Sequence, residues 1–578
     1  MSKKFTADFE TNVDENDCRV WAWAVCEIGN PDNFKYGTSI DWFIKWCKDK
    51  DDNYTLWFHN LKYDGEYIFH YLLTNGYEYI DDITKRKDKT FETIISDMGQ
   101  FYMITIYFKV GINKINKVTI YDSLKLLNFS VESIANSFEL PIRKLELDYK
   151  TKREIGHRLT KHEIDYIRCD VEVMSRALDI MFKEGLDRMT IGACALRYFR
   201  NQTDHFNRYF PQVPLEIDED IRTSYRGGFT YLNPLYKEKT TDDGIVLDVN
   251  SLYPSVMYNE VLPFGQPIFF NGKYKRDILY PLYVQRINVI FELKPGKIPT
   301  IQVKKSLMFQ PNEFLESSKG DILTLSLTNI DLELFLENYN IIYIEYVGGW
   351  KFKGKKGLFK HYIDEWSDKK IQAKKEGNPA LYKISKLMLN SLYGKFARNP
   401  NSRSKRPFLF DDGSIGYELL PLSQGKGLYI PMGCFITSYA RNKTIRTSQA
   451  IRDYTMEKYG KDFYIYSDTD SIHMLKLPEE ELKEFIDIDD YRLGAWKLES
   501  TFRRGKYLRQ KAYIEEDYSG ELNVVVAGLP KKLGKYVNFD NFNVGFSILA
   551  SDETKEHKLT YKHVKGGVLL EDTDFTIQ

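Results

Sequence analysis

Residues 464–472, with the sequence YIYSDTDSI, constrain the fold of this chain more than any other segment. Strand-forming apolar residues flank two aspartates, Asp468 and Asp470, which are separated by one small residue. The pattern predicts a β-hairpin with buried strands and an acidic tip. Carboxylates held this close repel one another, and a divalent cation removes that repulsion. The segment therefore predicts a metal site at the tip of the hairpin.

Two further motifs lie far upstream of this hairpin. Asp248 begins the sequence DVNSLYPS, and residues 386–394 read KLMLNSLYG. An Asp-x-Asp turn alone is weakly diagnostic, but these motifs in this order indicate nucleotidyl transfer with two metal ions. Three polar residues of the 386–394 motif recur at helical spacing and are predicted to share one helix face, namely Lys386, Asn390 and Tyr393. The alternative is an amphipathic helix with incidental polar residues.

A second group of acids lies near the N-terminus. Asp8 and Glu10 are two residues apart on a predicted strand (residues 5–11), so both point to one face. Asp64 follows at a predicted strand-to-helix turn, and Tyr166 and Asp170 are four residues apart on a predicted helix. Four such acids can hold two divalent ions for phosphodiester hydrolysis, and a tyrosine hydroxyl can orient the attacking water. Each acid alone is more commonly a surface residue or helix cap, but the ordered combination favours a metal site.

Length and charge narrow the functional classes. A chain of 578 residues predicts several domains. Lys+Arg 82 equals Asp+Glu 82, which argues against a non-specific DNA coat protein but allows an enzyme with a local basic channel. One basic cluster follows the acidic hairpin and is predicted to contact DNA, namely Arg503, Arg504, Lys506, Arg509 and Lys511. The six cysteines lack zinc-ligand spacing and predict buried thiols in a reducing compartment. The absence of a signal peptide or long apolar run predicts a cytosolic protein without a membrane segment.

The order of predicted elements divides the chain. Residues 5–190 alternate strands and helices, with strands at 5–11 and 20–28 and helices at 65–75 and 162–183. A β-rich unit begins near residue 190 and is interrupted by two long intervening segments. They are residues 261–357, with predicted strands, and residues 397–430, with a turn at 411–413. A helical segment, 358–396, separates these two intervening segments, and a small β-rich unit is predicted at 534–578.

These ordered motifs resemble those of family B DNA polymerases, and most closely the protein-primed polymerases of phi29-like phages. The likeness runs from about residue 5 to the C-terminus. It is carried by the three motifs above and by four further stretches, FHNLKYDG (58–65), YDSLK (121–125), YRGGF (225–229) and KYLRQKAY (506–513).

The resemblance implies an α/β (α+β) multidomain fold, an RNase H-like 3′–5′ exonuclease domain followed by a right-hand polymerase with palm, fingers and thumb and two insertions. The implied boundaries are exonuclease 1–190, palm 191–260 and 431–533, first insertion 261–357, fingers 358–396, second insertion 397–430 and thumb 534–578.

The resemblance also implies roles for single residues. Asp248 and Asp470 match the polymerase metal ligands, and Asp468 matches a supporting acid. Asp8, Glu10, Asp64 and Asp170 match the exonuclease metal ligands, with Tyr166 beside them. The implied nucleotide contacts are Tyr253, Lys386, Asn390, Tyr393 and Lys370, for which Lys374 is the alternative. The implied DNA contacts are Asn60, Ser123, Leu124 and Lys144 (alternatively Arg143) in the exonuclease, Tyr225, Arg226, Gly227 and Gly228 in the linker, and Lys511 and Tyr513 at the primer.

The expected activity is processive, strand-displacing, protein-primed replication of a linear viral DNA genome with proofreading, in the cytoplasm of the bacterial host. The expected cofactor is Mg²⁺, two per active site, for which Mn²⁺ substitutes. The expected partners of this monomer are template and primer DNA, deoxynucleoside triphosphates and a terminal protein that primes synthesis. One alternative is a family B polymerase that uses nucleic-acid primers only, and the long interval between Asp248 and Lys386 argues against it. The other is a non-catalytic DNA-binding protein, which the complete sets of acids oppose.

Overall fold

The computed structural model describes residues 3–48, 53–110, 114–140, 145, 147–148, 151–303 and 313–578. Short 3₁₀ helices occur at Ile83–Lys85, Ser123–Lys125, Pro234–Tyr236 and Lys531–Tyr536. All six cysteines are buried thiols outside any disulfide, as predicted. Among the described helices, none combines the length and apolar character that crossing a membrane requires.

The N-terminal unit (residues 3–190) is a sheet flanked by helices. Its strands are β1 (Lys3–Thr11), β2 (Val20–Glu27), β3 (Asn30–Gly37), β4 (Tyr54–Phe58), β5 (Glu78–Tyr79), β6 (Thr90–Ile95), β7 (Phe101–Val110) and β8 (Lys114–Asp122). Its helices are α1 (Ile40–Lys48), α2 (Leu61–Thr74), α3 (Val131–Ser137) and α4 (Lys161–Lys183). The strand order is β3-β2-β1-β4-β8-β7-β6-β5, with β1 antiparallel to β2 and parallel to β4. The predicted strands 5–11 and 20–28 and the helix 162–183 are confirmed.

One boundary prediction in this unit is wrong. The helix predicted at 65–75 begins at Leu61, so Asp64 lies within the first turn of α2 and not in a preceding turn. The backbone of Asn60 is left-handed, with φ 71°, which ends β4 and starts the helix at once. Asparagine tolerates this conformation better than most residues.

The next unit contains α5 (Ile191–Gln202), α6 (Phe206–Tyr209), α7 (Leu215–Arg222), β9 (Thr230–Leu232), β10 (Thr240–Thr241), β11 (Gly244–Val249) and α8 (Leu252–Asn259). The first insertion follows and contains β12 (Val261–Asn271), β13 (Leu282–Leu293), β14 (Gln302–Val303), β15 (Glu313–Phe314), β16 (Leu323–Thr328), α9 (Asn329–Asn338) and β17 (Tyr339–Lys356). Its main sheet has the order β12-β17-β13-β16 and encloses its own apolar cluster. The strands were predicted, whereas α9, which Thr328 caps through the amide of Asp331, was not.

The predicted helical segment 358–396 consists of α10 (Lys360–Lys375), α11 (Pro379–Ser391) and α12 (Tyr393–Phe396). The turn between α10 and α11 contains Gly377 at φ 67°, and the side chain of Asn378 caps α11. The second insertion forms β18 (Asn401–Ser402), β19 (Lys405–Leu409), β20 (Ile415–Leu419) and β21 (Ser423–Gln424). The predicted turn is confirmed between β19 and β20, with Gly413 at φ 84°.

The chain then forms the long helix α13 (Ile430–Tyr459), β22 (Tyr464–Asp468), β23 (Ser471–Leu475), α14 (Glu479–Phe485), β24 (Trp496–Phe502), β25 (Arg504–Arg509), β26 (Ala512–Glu516) and β27 (Leu522–Val526). Two sheets result, with orders β24-β11-β23-β22-β9 and β10-β25-β26-β27. The predicted acidic hairpin is confirmed as β22 and β23, which are antiparallel. The tail is β-rich, as predicted, with β28 (Ser547–Ile548), β29 (Lys558–Val564), β30 (Gly567–Thr573) and β31 (Phe575–Thr576).

Candidate active sites

The acids of β1 and α4 come together in one cluster. Asp8 and Glu10 share a face of β1, and Asp170 approaches from α4, which Thr6 ties to the strand by donating a 2.6 Å hydrogen bond to the Val171 carbonyl. One carboxylate oxygen from each of the three acids lies within 4.8 Å of the others. Within the described residues this is the one cluster of at least three His, Cys, Asp or Glu side chains with that spacing. With Asp64, these acids are called the N-terminal carboxylate site.

Asp64 is held close to this cluster inside the protein. Its side chain is buried, and burial, followed by the negative charge of Asp8, raises its pKa well above the usual range. Its Oδ1 atom is also buried and has no hydrogen-bond partner among the described residues. Such an oxygen lacks the positive partner that a buried carboxylate requires. The set therefore fits a divalent cation, which oxygen ligands of this kind bind well.

Tyr166 lies one helical turn before Asp170 on α4, as predicted. Its ring is buried in an apolar cluster with Trp21 and Ala22 of β2. This packing restricts the ring to the side of α4 that faces the sheet. Because Tyr166 faces the sheet that carries Asp8 and Glu10, the predicted role of its hydroxyl, orienting a water molecule, agrees with this position.

A second carboxylate site forms where β11 lies beside the acidic hairpin. Strand β11 pairs with β23, which sets Asp248 opposite Ser471, and the Val249 amide donates a 2.8 Å hydrogen bond to the Asp470 carbonyl. Burial, followed by the charge of Asp470, raises the pKa of Asp248 to about 6. The pKa of Asp470 is also raised, first by burial. Asp248, Asp468 and Asp470 are called the hairpin carboxylate site, and the paired charges again fit a cation.

Two hydroxyl groups and a lysine hold the carboxylate of Asp468. It accepts hydrogen bonds from the Thr230 hydroxyl at 3.2 Å and the Tyr466 hydroxyl at 3.4 Å. The ammonium of Lys511 lies 3.3 Å from its Oδ2 atom. These partners suit a supporting acid, as the resemblance implies, better than a principal metal ligand.

The tip of the hairpin is held in an uncommon backbone conformation. Thr469 has φ 63°, which is rare for a β-branched residue. Its amide donates to the Phe229 carbonyl at 2.7 Å, and its own carbonyl accepts from the Thr444 hydroxyl at 2.7 Å. These bonds from two other elements fix the direction of the neighbouring aspartates.

Comparisons with known proteins agree with this geometry. The family model for DNA polymerase type B, organellar and viral, matches residues 47–159 and 146–486. The DNA polymerase of Bacillus phage Nf is 46% identical over 599 residues, and the alignment covers both chains completely. That of Streptococcus phage Cp-1 is 32% identical over 606 residues, covering 100% of this chain and 99% of the relative. Phi29 DNA polymerase in its ternary complex with primer–template DNA and incoming nucleotide substrates has a TM-score of 0.91 and 42% identity, with both chains covered completely.

This chain belongs to the family B DNA polymerases of phi29-like phages. The resemblance drawn from the motifs and the fold class that it implied are both confirmed. The fold of this polymerase therefore combines the exonuclease and polymerase parts that the family shares.

In this family B polymerase the predicted nucleotide contacts lie on neighbouring helices. The rings of Tyr253 on α8 and Tyr393 on α12 are stacked, with centroids 4.0 Å apart and 23° between their planes. Lys386 and Asn390 are exposed on α11. Burial, followed by the charges of Lys386 and two other lysines, lowers the pKa of Lys370. Lys370 therefore lies among the basic groups that face the hairpin carboxylate site.

One of those groups, Lys497, was missed by the sequence analysis. It lies opposite Asp248 in the pairing of β11 with β24, and its ammonium is 3.8 Å from Asp248 Oδ1. Lys497 also forms an ion pair with Glu499. A lysine between strand residues in the sequence WKLES was the available signal, but only the pairing of the strands shows which acid it faces.

The predicted linker residues do not share one environment. Arg226 donates a 2.9 Å hydrogen bond to the Ser326 carbonyl of the first insertion, so its guanidinium is turned toward that insertion. At Gly228 a Cβ atom would lie 2.5 Å from the Thr469 hydroxyl, so the hairpin tip requires a glycine there. At Gly227 a Cβ atom would have no heavy atom of the described residues within 4 Å, so the backbone is open on that side. Tyr225 is half-buried, and burial raises its pKa.

The predicted exonuclease DNA contacts surround a residue that was not assigned, Asp122. Its Oδ1 atom accepts hydrogen bonds from the amides of Asn60 and Leu124, both at 3.0 Å. Ser123 is buried and donates to the Phe58 carbonyl at 2.9 Å. Asp122 directly precedes a 3₁₀ turn, which its side chain caps. An aspartate at the start of a predicted turn was the available sign of this role in the sequence. Lys144 and its alternative Arg143 lie outside the described residues.

The basic cluster after the hairpin is divided between two environments. Lys511 lies at the β25–β26 turn beside Asp468, and Tyr513 packs edge-on against His473 with ring centroids 4.9 Å apart. Arg503 and Arg504, by contrast, both pair with Glu516. Of these three basic residues, Lys511 is therefore the one that lies beside the hairpin carboxylate site.

Proposed function

We propose that the hairpin carboxylate site extends a primer on a DNA template, that the N-terminal carboxylate site proofreads in the 3′–5′ direction, and that synthesis starts on a terminal protein. The observation that carries this proposal is the presence of two separate carboxylate sites in a DNA polymerase of family B. The relative in the ternary complex binds primer–template DNA and incoming nucleotides, which supports the same substrates here.

In the polymerase step, the 3′-oxygen of the primer attacks the α-phosphate, a new O–P bond forms, and pyrophosphate leaves. Bound divalent cations, with two Mg²⁺ expected and Mn²⁺ able to substitute, would activate the hydroxyl and neutralise the triphosphate. Asp248 and Asp470 would hold them, and Asp468 keeps Lys511 in place. Lys386 and Lys370 bind the triphosphate. Tyr253, which is stacked on Tyr393, lies under the incoming sugar and rejects a 2′-hydroxyl, and Asn390 and Tyr393 help to select the nucleotide.

In the exonuclease step, water attacks the last phosphodiester of an unpaired primer end, and a mononucleotide leaves. Asp8, Glu10, Asp64 and Asp170 would hold the cations. Tyr166 orients the water, and Asn60 and Leu124, which Asp122 holds, contact the terminal nucleotide. The buried, mutually repelling acids support this assignment because they are costly without a cation.

The insertions are assigned to replication from a protein primer. The first insertion has its own sheet and apolar cluster, which supports its use as a platform for the terminal protein and DNA. A hydroxyl of the terminal protein replaces the primer 3′-hydroxyl for the first nucleotide. The second insertion contacts the N-terminal unit, where the Tyr417 hydroxyl donates to Glu66 at 2.7 Å, which supports a role in enclosing DNA for processivity and strand displacement. The enzyme acts as a monomer in the cytoplasm of the bacterial host.

One experiment separates protein priming from its alternative, priming by nucleic acid only. The polymerase is incubated with template, Mg²⁺ and one labelled deoxynucleotide, with and without the terminal protein encoded by the same phage. Label joined covalently to the terminal protein is the expected result. Extension of an oligonucleotide primer without any labelled protein would favour the alternative, and Asp470→Ala is the control that must abolish both.

A further inference from the structure

The C-terminal hairpin β29–β30 packs against the N-terminal unit, more than 500 residues away in sequence. Val568 and Leu569 are buried in the apolar core of that unit. The Tyr67 hydroxyl of α2 donates a 2.7 Å hydrogen bond to the Val568 carbonyl. At Gly566, where φ is 103°, a Cβ atom would lie 1.9 Å from the Cys18 carbonyl oxygen. The hairpin is therefore fitted closely to this surface.

The same hairpin brings Tyr561 to the predicted exonuclease DNA contacts. Its hydroxyl accepts a 3.2 Å hydrogen bond from the side-chain amide of Asn60. Asn60 precedes α2 without capping the helix through its side chain in the described structure, and its backbone amide is bound to Asp122. Asn60 is thus held at its backbone by the N-terminal unit and at its side chain by the tail.

The ring of Tyr561 belongs to the same surface. It lies 6.1 Å from the ring of Tyr63, whose hydroxyl shares a 2.7 Å hydrogen bond with Thr11, the residue after Glu10. The ammonium of Lys62 lies 5.1 Å from the centroid of the Tyr561 ring. Burial raises the pKa of Tyr561. The hydrogen bond from Asn60 opposes this rise, and nearby carboxylates add to it, so the hydroxyl keeps its proton at neutral pH.

We propose that Tyr561 is a positioning residue of the exonuclease site, which orients the Asn60 amide for the last nucleotide of an unpaired 3′ end. The inference rests on the proposed exonuclease function and extends it to a residue of the tail. The substrate class is single-stranded DNA with a free 3′-hydroxyl. Binding of that end then depends on the docked hairpin, although the acids that perform the chemistry lie on other elements.

The test measures degradation of a short single-stranded oligonucleotide in Mg²⁺ by the full chain. Tyr561→Phe removes one hydroxyl and keeps the ring, so we expect KM to rise about five- to tenfold and kcat to change less than about twofold. Asn60→Ala alone raises KM by about tenfold. When Tyr561→Phe is added to Asn60→Ala, KM rises by less than about a further twofold, because the Tyr561 hydroxyl and the Asn60 amide act through one contact.

The matched control is Tyr536→Phe, which removes a tail hydroxyl that accepts a hydrogen bond from the Glu556 amide. It leaves KM unchanged, and primer extension is normal in all of these variants. An unchanged KM in Tyr561→Phe, or independent effects in the double variant, would overturn the role of Tyr561 while leaving the exonuclease assignment intact. Absence of Mg²⁺-dependent degradation by the unaltered chain, or degradation that persists in Asp8→Ala, would overturn both.

Discussion

Lysines lie beside two acids of the hairpin carboxylate site, whereas, among the residues that the structure describes, the charges that act on Asp64 of the N-terminal carboxylate site are those of two other aspartates. Lys497 lies 3.8 Å from Asp248, and Lys511 lies 3.3 Å from Asp468. The charges of Lys386 and Lys511 also lower the pKa of Asp470 and so oppose the rise that burial causes. The acids of the hairpin carboxylate site therefore receive part of their neutralising charge from the protein.

At the N-terminal carboxylate site, the charges of Asp8 and Asp122 act on Asp64 and raise its pKa, in addition to burial. The substrates proposed for the two sites explain this difference. A triphosphate brings several negative charges, so fixed lysines help to bind it, whereas a single phosphodiester brings one. Within the described residues, Asp64 thus depends on a bound cation for its neutralising charge, whereas Asp248 and Asp468 share that work with lysines.

The strongest test of two independent sites is Asp470→Asn. Removing one ligand of the polymerase cations lowers primer extension by about a thousandfold or more, because these ligands stabilise the charge of the transition state. Degradation of a single-stranded oligonucleotide remains within about twofold of the unaltered enzyme. Both activities are measured on one preparation. Equal loss of both would mean that the sites are not separate.

The reciprocal change is Asp64→Asn, which lowers degradation by about a hundredfold or more and leaves extension unchanged. Because burial and Asp8 raise the pKa of Asp64, its ionised form destabilises the metal-free fold at neutral pH. The neutral amide removes that cost, so the melting temperature in EDTA rises. A lower melting temperature in EDTA would contradict the account of buried repulsion.

Lys497→Ala sharpens the comparison at the polymerase site. The loss of a positive charge beside Asp248 raises KM for deoxynucleotides by about five- to tenfold, with a smaller change in kcat. Degradation is unaffected. Lys483→Ala, which breaks a surface ion pair with Glu479, is the control and leaves both activities unchanged. An unchanged KM in Lys497→Ala would remove this lysine from the nucleotide site.

The smallest expected effect is a pH dependence of metal binding. The pKa of Asp248 is about 6 in the folded protein, above its ordinary value of 3.8. Protonation of Asp248 therefore stabilises the metal-free fold fully below about pH 3.8, and this stabilisation is lost as the pH rises through about 6. Cations compete with this proton. The rise in melting temperature caused by Mg²⁺ is therefore larger at about pH 7.5 than at about pH 5. Asp248→Asn reduces the difference between the two pH values. A larger rise in melting temperature with Mg²⁺ at the lower pH would contradict this competition between proton and cation.

Local patterns in the sequence were sufficient for most of the elements that carry the acids. The hairpin of Asp468 and Asp470 and the strand of Asp8 and Glu10 follow from side-chain alternation, since residues two apart on a strand share a face. Helix α9 was missed because a helix of ten residues between strands has little periodicity to detect. The start of α2 was placed too late because the left-handed backbone of Asn60 leaves no clear pattern in the sequence.

The sequence by itself determined the family of this polymerase, its principal acids and the order of its elements, because these depend on residue type and on spacing within a motif. Only the tertiary structure decided that Lys497 faces Asp248 and that Tyr561 reaches Asn60 across 501 positions of chain. The physical reason is that strand pairing and the packing of one unit on another set these contacts. No local periodicity records which distant side chains such packing brings together.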